Sequence, residues 1–296
     1  MHTPVLVDEV LKLIKPSSGG VYVDGTLGEG GHTAALLDAS APDGIVIGFD
    51  WDDRAVDAAA LRLRPYGERA RLVRRSYTEM ASVVKEMGLT GRINGIILDL
   101  GLSSLQLADP ERGFSFQTGG MLDMRMSRTL TQTAEALVNG LSEPDLAEII
   151  YRYGEERHSR RVAKAIVNAR KRAPIRSAEE LADIVVRVVR QKGKWRIHPA
   201  TKTFQALRIA VNHELENVEQ GLAAGRDILA PGGVFTVIAF HSLEDRIVKR
   251  AFKAWTSGEG NFSLLTKKPI TSNEEEVFRN PRSRSARLRA VVRKGG

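Results

Sequence analysis

The chain has 296 residues, 42% hydrophobic and 27% charged, a balance that supports a buried core and excludes disorder along its whole length. It contains no cysteine, which excludes disulfides, thiolate-held zinc, iron–sulfur clusters and a cysteine nucleophile, and fits a reducing cytoplasm. A formal net charge of +8 favours an anionic partner, nucleic acid being the commonest, although a basic enzyme with no polyanion to bind has the same total.

The first segment, Pro4–Lys15, carries Asp8 and Glu9 and so lacks the uninterrupted apolar run of a signal peptide. Three β-branched runs then each end on an acid: Val21–Val23 before Asp24, Ile45–Phe49 before Asp50, and Ile96–Leu98 before Asp99. They are too short for helices and predict buried parallel strands. Helical patterns at His32–Leu37, Arg54–Leu63 and Tyr77–Met87 alternate with them, which predicts a doubly wound α/β sheet. From Leu105 to Glu216 the strand signal disappears. Ser142-Glu-Pro-Asp145 opens a helix and Ser177-Ala-Glu-Glu180 reads as a capping box, so helices are expected at 142–153, 158–172, 177–191 and 200–216. A helix over Asn217–Leu229, a stop at Ala230-Pro-Gly-Gly233 and a strand at Val234–Phe240 resume the α/β pattern. Two more strands are expected at Ser263–Lys267 and Leu288–Val292. Residues 1–104 and 217–296 would then build one sheet domain, with 105–216 as a helical insert. The most apolar stretch, Val234–Phe240, is far too short to span a bilayer, so no membrane role is expected.

The strongest local pattern is Val23-Asp-Gly-Thr-Leu-Gly-Glu-Gly-Gly-His-Thr33, between a predicted strand and a predicted helix. Glycines there permit positive φ and close approach of a ligand, and the helix N-terminus presents free amides. Asp50 ends the next strand, 22 residues beyond Gly28, where a carboxylate can accept both hydroxyls of a ribose. Dinucleotides and S-adenosylmethionine both bind such an architecture. A dinucleotide loop reads G-x-G-x-x-G, but here Gly28 and Gly30 are followed by Thr33, and an acid at the loop's start, Asp24, suits a methyl donor better than a pyrophosphate. Asp99 ends the fourth strand, beside the same crevice. The plainer reading of each feature is a tight turn for the glycines and a cap for Asp99.

Several strings reach further. Asp24-Gly-Thr-Leu-Gly-Glu-Gly-Gly-His-Thr33, Asp99-Leu-Gly-Leu-Ser-Ser104, Glu111-Arg-Gly-Phe-Ser-Phe116 and Leu122-Asp-Met-Arg-Met126 resemble the bacterial 16S rRNA cytosine-N4 methyltransferase family, formerly called MraW. So do Tyr153-Gly-Glu-Glu156, His198-Pro-Ala-Thr-Lys-Thr-Phe-Gln-Ala206, Phe240-His-Ser-Leu-Glu-Asp-Arg-Ile-Val-Lys249 and Asn280-Pro-Arg-Ser-Arg-Ser285. The resemblance runs from His2-Thr-Pro-Val-Leu6 to the last residues. It implies a Rossmann-like class I methyltransferase sheet with a helical insert that recognises RNA. The implied reaction is methylation by S-adenosylmethionine of N4 of a decoding-region cytidine in the small ribosomal subunit, in the cytoplasm. The implied partner is rRNA and not DNA. The resemblance also implies cofactor contacts from Gly30, Gly31, His32, Asp50, Tyr77, Asp99 and Gln106; Tyr77 stands where the family usually carries phenylalanine. A homodimer is compatible with all of this, without an interface to name.

The N4 amine of cytosine is a poor nucleophile, because its lone pair is delocalised into the ring. Many amino methyltransferases accept its protons on a D/N-P-P-Y/F motif; this chain has Asp99-Leu-Gly-Leu there. Asp99, or a backbone carbonyl just after it, is the candidate proton acceptor, with cofactor binding alone as the alternative. Asp123 is a second carboxylate, more simply explained by an ion pair with Arg125. His241 follows the fifth strand, where it would touch the base or bond to Glu244 or Asp245. No metal is expected, since no residue stands at ligand spacing from His32.

Two basic stretches are candidate RNA contacts. Arg152–Arg176 holds nine Lys/Arg against Glu155 and Glu156, and residues 279–296 hold seven and no acid. The first could equally be a solvated helix face, whereas the acid-free tail is harder to explain away. Phe114 and Phe116 could stack on a base, or pack the insert onto the sheet. Rival functions are a non-catalytic ribosome-assembly factor that keeps the fold, and a nicotinamide-dependent oxidoreductase, which leaves the basic tail unexplained.

Overall fold

The computed structural model describes residues 4–116, 120–189, 198–257 and 261–295. The chain divides into two compact units, one of residues 1–103 with 215–296 and one of Ser104–Glu214.

The first unit is built on seven strands: β1 Val21–Asp24, β2 Ile45–Phe49, β3 Ala70–Val73, β4 Ile93–Asp99, β5 Leu229–Ala239, β6 Phe262–Leu264 and β7 Arg287–Arg293. Their order is β3-β2-β1-β4-β5-β7-β6. The first five run parallel, and β7 is antiparallel to both β5 and β6. This is a Rossmann-like α/β sheet of the class I methyltransferase kind. The order reverses beside β1, so a crevice opens where β1 and β4 end, the usual ligand position in such sheets. Successive side chains alternate between two buried faces. Val23, Ile47, Ile96, Phe235 and Val291 join one core, while Tyr22, Val46, Ile97, Val234 and Ala290 join the other. Burial on both sides explains why the strands read as continuous apolar runs.

Helices α1 Val7–Ile14, α2 Gly31–Ala39, α3 Asp53–Leu63 and α4 Met80–Glu86 belong to this unit. α1 was not legible in the sequence, and its N-terminal end is held by Leu6 N–H donating to Glu276 Oε1 (2.7 Å). The Tyr77–Met87 pattern divides into a 3-10 turn at Tyr77–Glu79, capped by Ser76, followed by α4. The strand expected at Ser263–Lys267 is confined to β6, because the Thr266 hydroxyl accepts the Ala290 N–H (2.9 Å) and replaces the next rung of the ladder.

The second unit is helical: α5 Ser104–Ala108, α6 Ala134–Gly140, α7 Glu143–Gly154, α8 Ser159–Arg170, α9 Ala178–Val188 and α10 Thr201–Asn212. Ser142 caps α7, and Ser177 with Glu180 forms the capping box of α9. The far end of the helix expected at 177–191 reaches residues 190 and 191, outside the described residues. The helix expected at 200–216 is interrupted. His213 takes a left-handed conformation (φ 51°) and returns its N–H to Ile209 O, closing α10. The chain restarts as α11 Glu214–Ile228, so the helix expected from Asn217 begins three residues earlier. Asn212 explains the break: its amide donates to Met124 O and accepts from Met126 N–H (both 2.7 Å), tying the end of α10 to an internal loop. The last helices, α12 Ser242–Trp255 and α13 Glu274–Arg279, return to the first unit. Among the described residues no helix is long and apolar enough to cross a membrane.

Candidate active site

The site grows from the end of β1. Asp24 is wholly buried and both its oxygens are engaged: the Thr33 hydroxyl donates to Oδ2 (2.7 Å) and Thr26 N–H to Oδ1 (3.1 Å). Burial pushes its pKa up, against the opposing pull of His32 and these hydrogen bonds. Asp24 is therefore the anchor of the loop. Backbone bonds then stitch the loop to both neighbouring strands, Gly25 N–H to Ile97 O (2.9 Å) and Leu27 N–H to Phe49 O (2.8 Å).

Gly30 turns the chain into α2 with φ 76°, a conformation that favours glycine, and a Cβ there would also press on Leu63 at 3.0 Å. Gly31 opens α2, its open side lying against the ring of Pro4. Asp50 follows β2 and accepts Gly28 N–H at Oδ2 and Asp52 N–H at Oδ1, both at 2.9 Å. Burial of its carboxyl, reinforced by the charges of Asp52 and Asp24, outweighs those two bonds and raises its pKa to about 6. With one amide on each oxygen, lone pairs remain for further donors.

Asp99 ends β4. Its N–H donates to Thr26 Oγ1 (2.6 Å), and its Oδ2 lies 3.5 Å from Nε2 of His32, in the first turn of α2. His32 is only 6% exposed. His32 Nε2 and Asp99 Oδ1 are buried yet make no hydrogen bond among the described residues. Buried polar atoms are seldom left unmatched, and here the two lie together at the crevice, where a bound water or ligand would match them. Orphaned atoms beside a positive-φ glycine loop, with a carboxylate at the next strand end, fit a nucleoside-bearing methyl donor.

The structure thus brings Gly30, Gly31, His32, Asp50 and Asp99 together around one loop. Tyr77 adjoins that loop at Gly25, while its ring lies against Gly221 of α11, where a Cβ would approach within 2.4 Å. Gln106 belongs to the helical unit, on α5, where it is buried. Thr26 and Thr33 were missed from the sequence. Thr33 had a signal, since it occupies the third glycine position of a dinucleotide loop, and its hydroxyl is spent on Asp24. Thr26 had none, because its partner is 73 residues away.

Other candidates have structural duties. Asp123 forms a bidentate pair with Arg125 (2.9 and 2.7 Å); partial burial raises its pKa, but Arg125 outweighs that and the net shift is downward. His241 caps α12: its Nδ1 accepts Glu244 N–H while Glu244 returns to the His241 N–H. Phe116 stacks on His198 (4.3 Å between centroids) and meets Phe204 edge-on, so its ring is engaged inside the helical unit. Phe114 is buried.

The sequence model described as the MraW methylase family matches residues 1–294. A protein of Geotalea uraniireducens named "Ribosomal RNA small subunit methyltransferase H" is 51% identical, over 98% of this chain and 97% of its own length. Proteins of the same name from Syntrophobacter fumaroxidans (48%; 99% and 97% covered) and Geobacter sp. strain M21 (50%; 98% and 97%) are similarly close. A loop anchored by Asp24, a switch-point crevice and similarity along nearly the whole length agree: this chain belongs to the MraW methylase family.

Proposed function

We propose that the protein transfers the methyl group of S-adenosylmethionine to N4 of a specific cytidine in the decoding region of 16S rRNA, as a cytoplasmic enzyme. The relatives of about 50% identity act, by name, on small-subunit ribosomal RNA. The observation that carries the reading is the pair of unsatisfied buried atoms, Asp99 Oδ1 and His32 Nε2, beside the Gly28–Gly31 loop and Asp50.

S-adenosylmethionine supplies an electrophilic methyl on a sulfonium. The residues mainly have to position the partners in line and exclude water. Asp50 accepts the ribose hydroxyls, the backbone at Gly30 and Gly31 lies against the donor, and His32 faces it from α2. Tyr77 completes the donor contacts of this unit. Asp99 accepts a proton of the target amine through Oδ1, which helps localise the nitrogen lone pair. The cytidine must be unpaired or extruded to reach it. The helical unit, residues 105–216 in the sequence division, recognises the RNA.

The test uses purified protein, labelled S-adenosylmethionine and small subunits from cells lacking this activity, followed by nucleoside mass spectrometry. N4-methylcytidine is the expected product. Donor binding without label on subunits or naked rRNA would favour the assembly-factor reading. For Asp99→Ala, turnover at saturating donor is expected to collapse while donor affinity falls less. Unchanged turnover would remove Asp99 from the chemistry and leave it a donor contact only.

A further inference from the structure

Helix α8 has two opposite faces. Val162, Ala163 and Ile166 are buried. At about 100° per residue, Arg160, Lys164, Asn168 and Arg161 fall in one arc of about 100° on the other side; Lys171, the C-cap with helical dihedrals, continues that arc, and Arg172 follows in the turn beyond. All six are exposed. From position 160 to 171 this stripe is about 16 Å long.

Not every cation of the stretch is available. Arg170 donates to Val138 O and Leu141 O (both 2.6 Å), Arg161 reaches Val188 O, and Arg152 faces Glu148 at 3.8 Å. Glu156, one of the stretch's two acids, is buried and spends a carboxylate oxygen on His158 N–H (2.8 Å). By contrast, the side chains of Arg160, Lys164, Lys171 and Arg172 have no hydrogen-bond or ion-pair partner among the described residues. Four unpaired cations along α8 and the turn just beyond it match a row of phosphates, contacts that position an RNA without carrying sequence information.

We propose that this outward face of α8 grips the sugar–phosphate backbone of the RNA, and that the equally basic C-terminal segment does not. The proposal rests on the rRNA reading above and localises its binding surface. Such contacts give sequence-blind, salt-sensitive affinity, with the logarithm of the binding constant falling by about 0.7–0.9 per phosphate contact per logarithm of salt.

The full chain carrying Arg160→Gln, Lys164→Gln, Lys171→Gln and Arg172→Gln is compared with a control that loses the same charge from the C-terminal segment, Arg279→Gln, Arg282→Gln, Arg284→Gln and Lys294→Gln. All eight residues are exposed. Each protein is titrated with a decoding-region 16S rRNA fragment and with an unrelated RNA of equal length, between roughly 50 and 200 mM salt. The α8 variant is expected to lose about 3 units of salt slope and at least about tenfold in affinity, equally on both RNAs, with S-adenosylmethionine binding and melting temperature unchanged. The control is expected to keep a slope within about one unit of the parent. Equal losses in both variants would reduce the effect to net charge and overturn the proposal, as would an unchanged slope in the α8 variant. If the parent methylates subunits while the α8 slope is unchanged, the surface is wrong and the function stands. If the parent binds donor but no RNA, both fail.

Discussion

Two stretches of this chain are alike in composition and opposite in use. Residues 279–296 carry seven basic residues and no acid, and Arg152–Arg176 carry nine basic residues with two acids. In the tertiary structure the first is largely spoken for. Arg279 pairs with Glu275, Arg287 and Arg289 converge on Asp245, and Arg293 donates to Leu229 O. The acids that neutralise it come from α12 and α13, outside the stretch itself. The second keeps several cations in solvent along α8. A run of like charge is therefore no guide to a binding surface until its partners elsewhere in the chain are known.

The largest effect is expected where the tail is most deeply paired. Arg289 and Asp245 are each about 10% exposed and bond through two contacts of 2.7 and 3.1 Å. Arg289→Ala leaves a buried carboxylate without its main partner and should cost about 3–5 kcal/mol in urea unfolding at neutral pH. Partial burial raises the Asp245 pKa, but Arg289 and Arg287 outweigh it and the net shift is downward. Its contribution is then complete above the ordinary carboxylate value of about 3.9 and disappears as pH falls through the folded value. The gap between parent and variant should therefore close in acid. A gap that persists unchanged at low pH would mean that lost packing, not charge pairing, sets the loss.

A smaller effect should divide α8 against itself. Arg170→Ala abandons two carbonyls at the end of α6 and should destabilise by about 1–3 kcal/mol with the RNA salt slope nearly intact. Arg160→Ala should do the reverse, staying within about 0.5 kcal/mol in stability while lowering the slope by nearly one. Equal behaviour of the two would erase the distinction between locked and free cations on this helix.

Asp50 sharpens the contrast from the acidic side. Asp245 has cations and is held low; Asp50 has only amides and is raised to about 6. Below that value it holds a proton, so donor affinity should weaken by up to about tenfold per pH unit between 6 and 4. Asp50→Asn should flatten that profile. In the donor-free protein it should also add stability at pH 7.5, because the ionised, poorly solvated carboxylate opposes folding above about 6. A donor affinity flat across this range in the parent would remove Asp50 from donor recognition. The smallest effect belongs to Arg279→Ala. Its pair with Glu275 is exposed and screened, and calorimetry should register less than about 0.5 kcal/mol.

Much of the site was legible in sequence because its parts are local. Asp24, Asp50 and Asp99 each close a β-branched run, and glycines between a strand and a helix mark a turn whatever surrounds them. Family motifs named His32 and Asp99, but nothing in the motifs showed that they face each other across 3.5 Å. The break at His213 was hidden because the local pattern favours helix, and the deciding contact, Asn212 on the loop at Met124, spans 88 residues. α13 was also hidden, since Glu274-Glu-Glu276 looks like a solvated acidic run, yet Glu276 holds the N-terminal segment at Leu6.

By itself the sequence determined the α/β alternation, the glycine loop with its acids, the capped helices of the insert and the family. Those follow from backbone sterics, hydrophobic periodicity and caps, all decided within a few residues of each other. Only the tertiary structure decided which charges are satisfied. It made Asp24 an anchor and left Asp99 Oδ1 unmatched, and it buried Arg289 on Asp245 while leaving Lys164 in solvent. Pairing depends on what folding brings within about 4 Å, and that distance is not written in any local stretch of the chain.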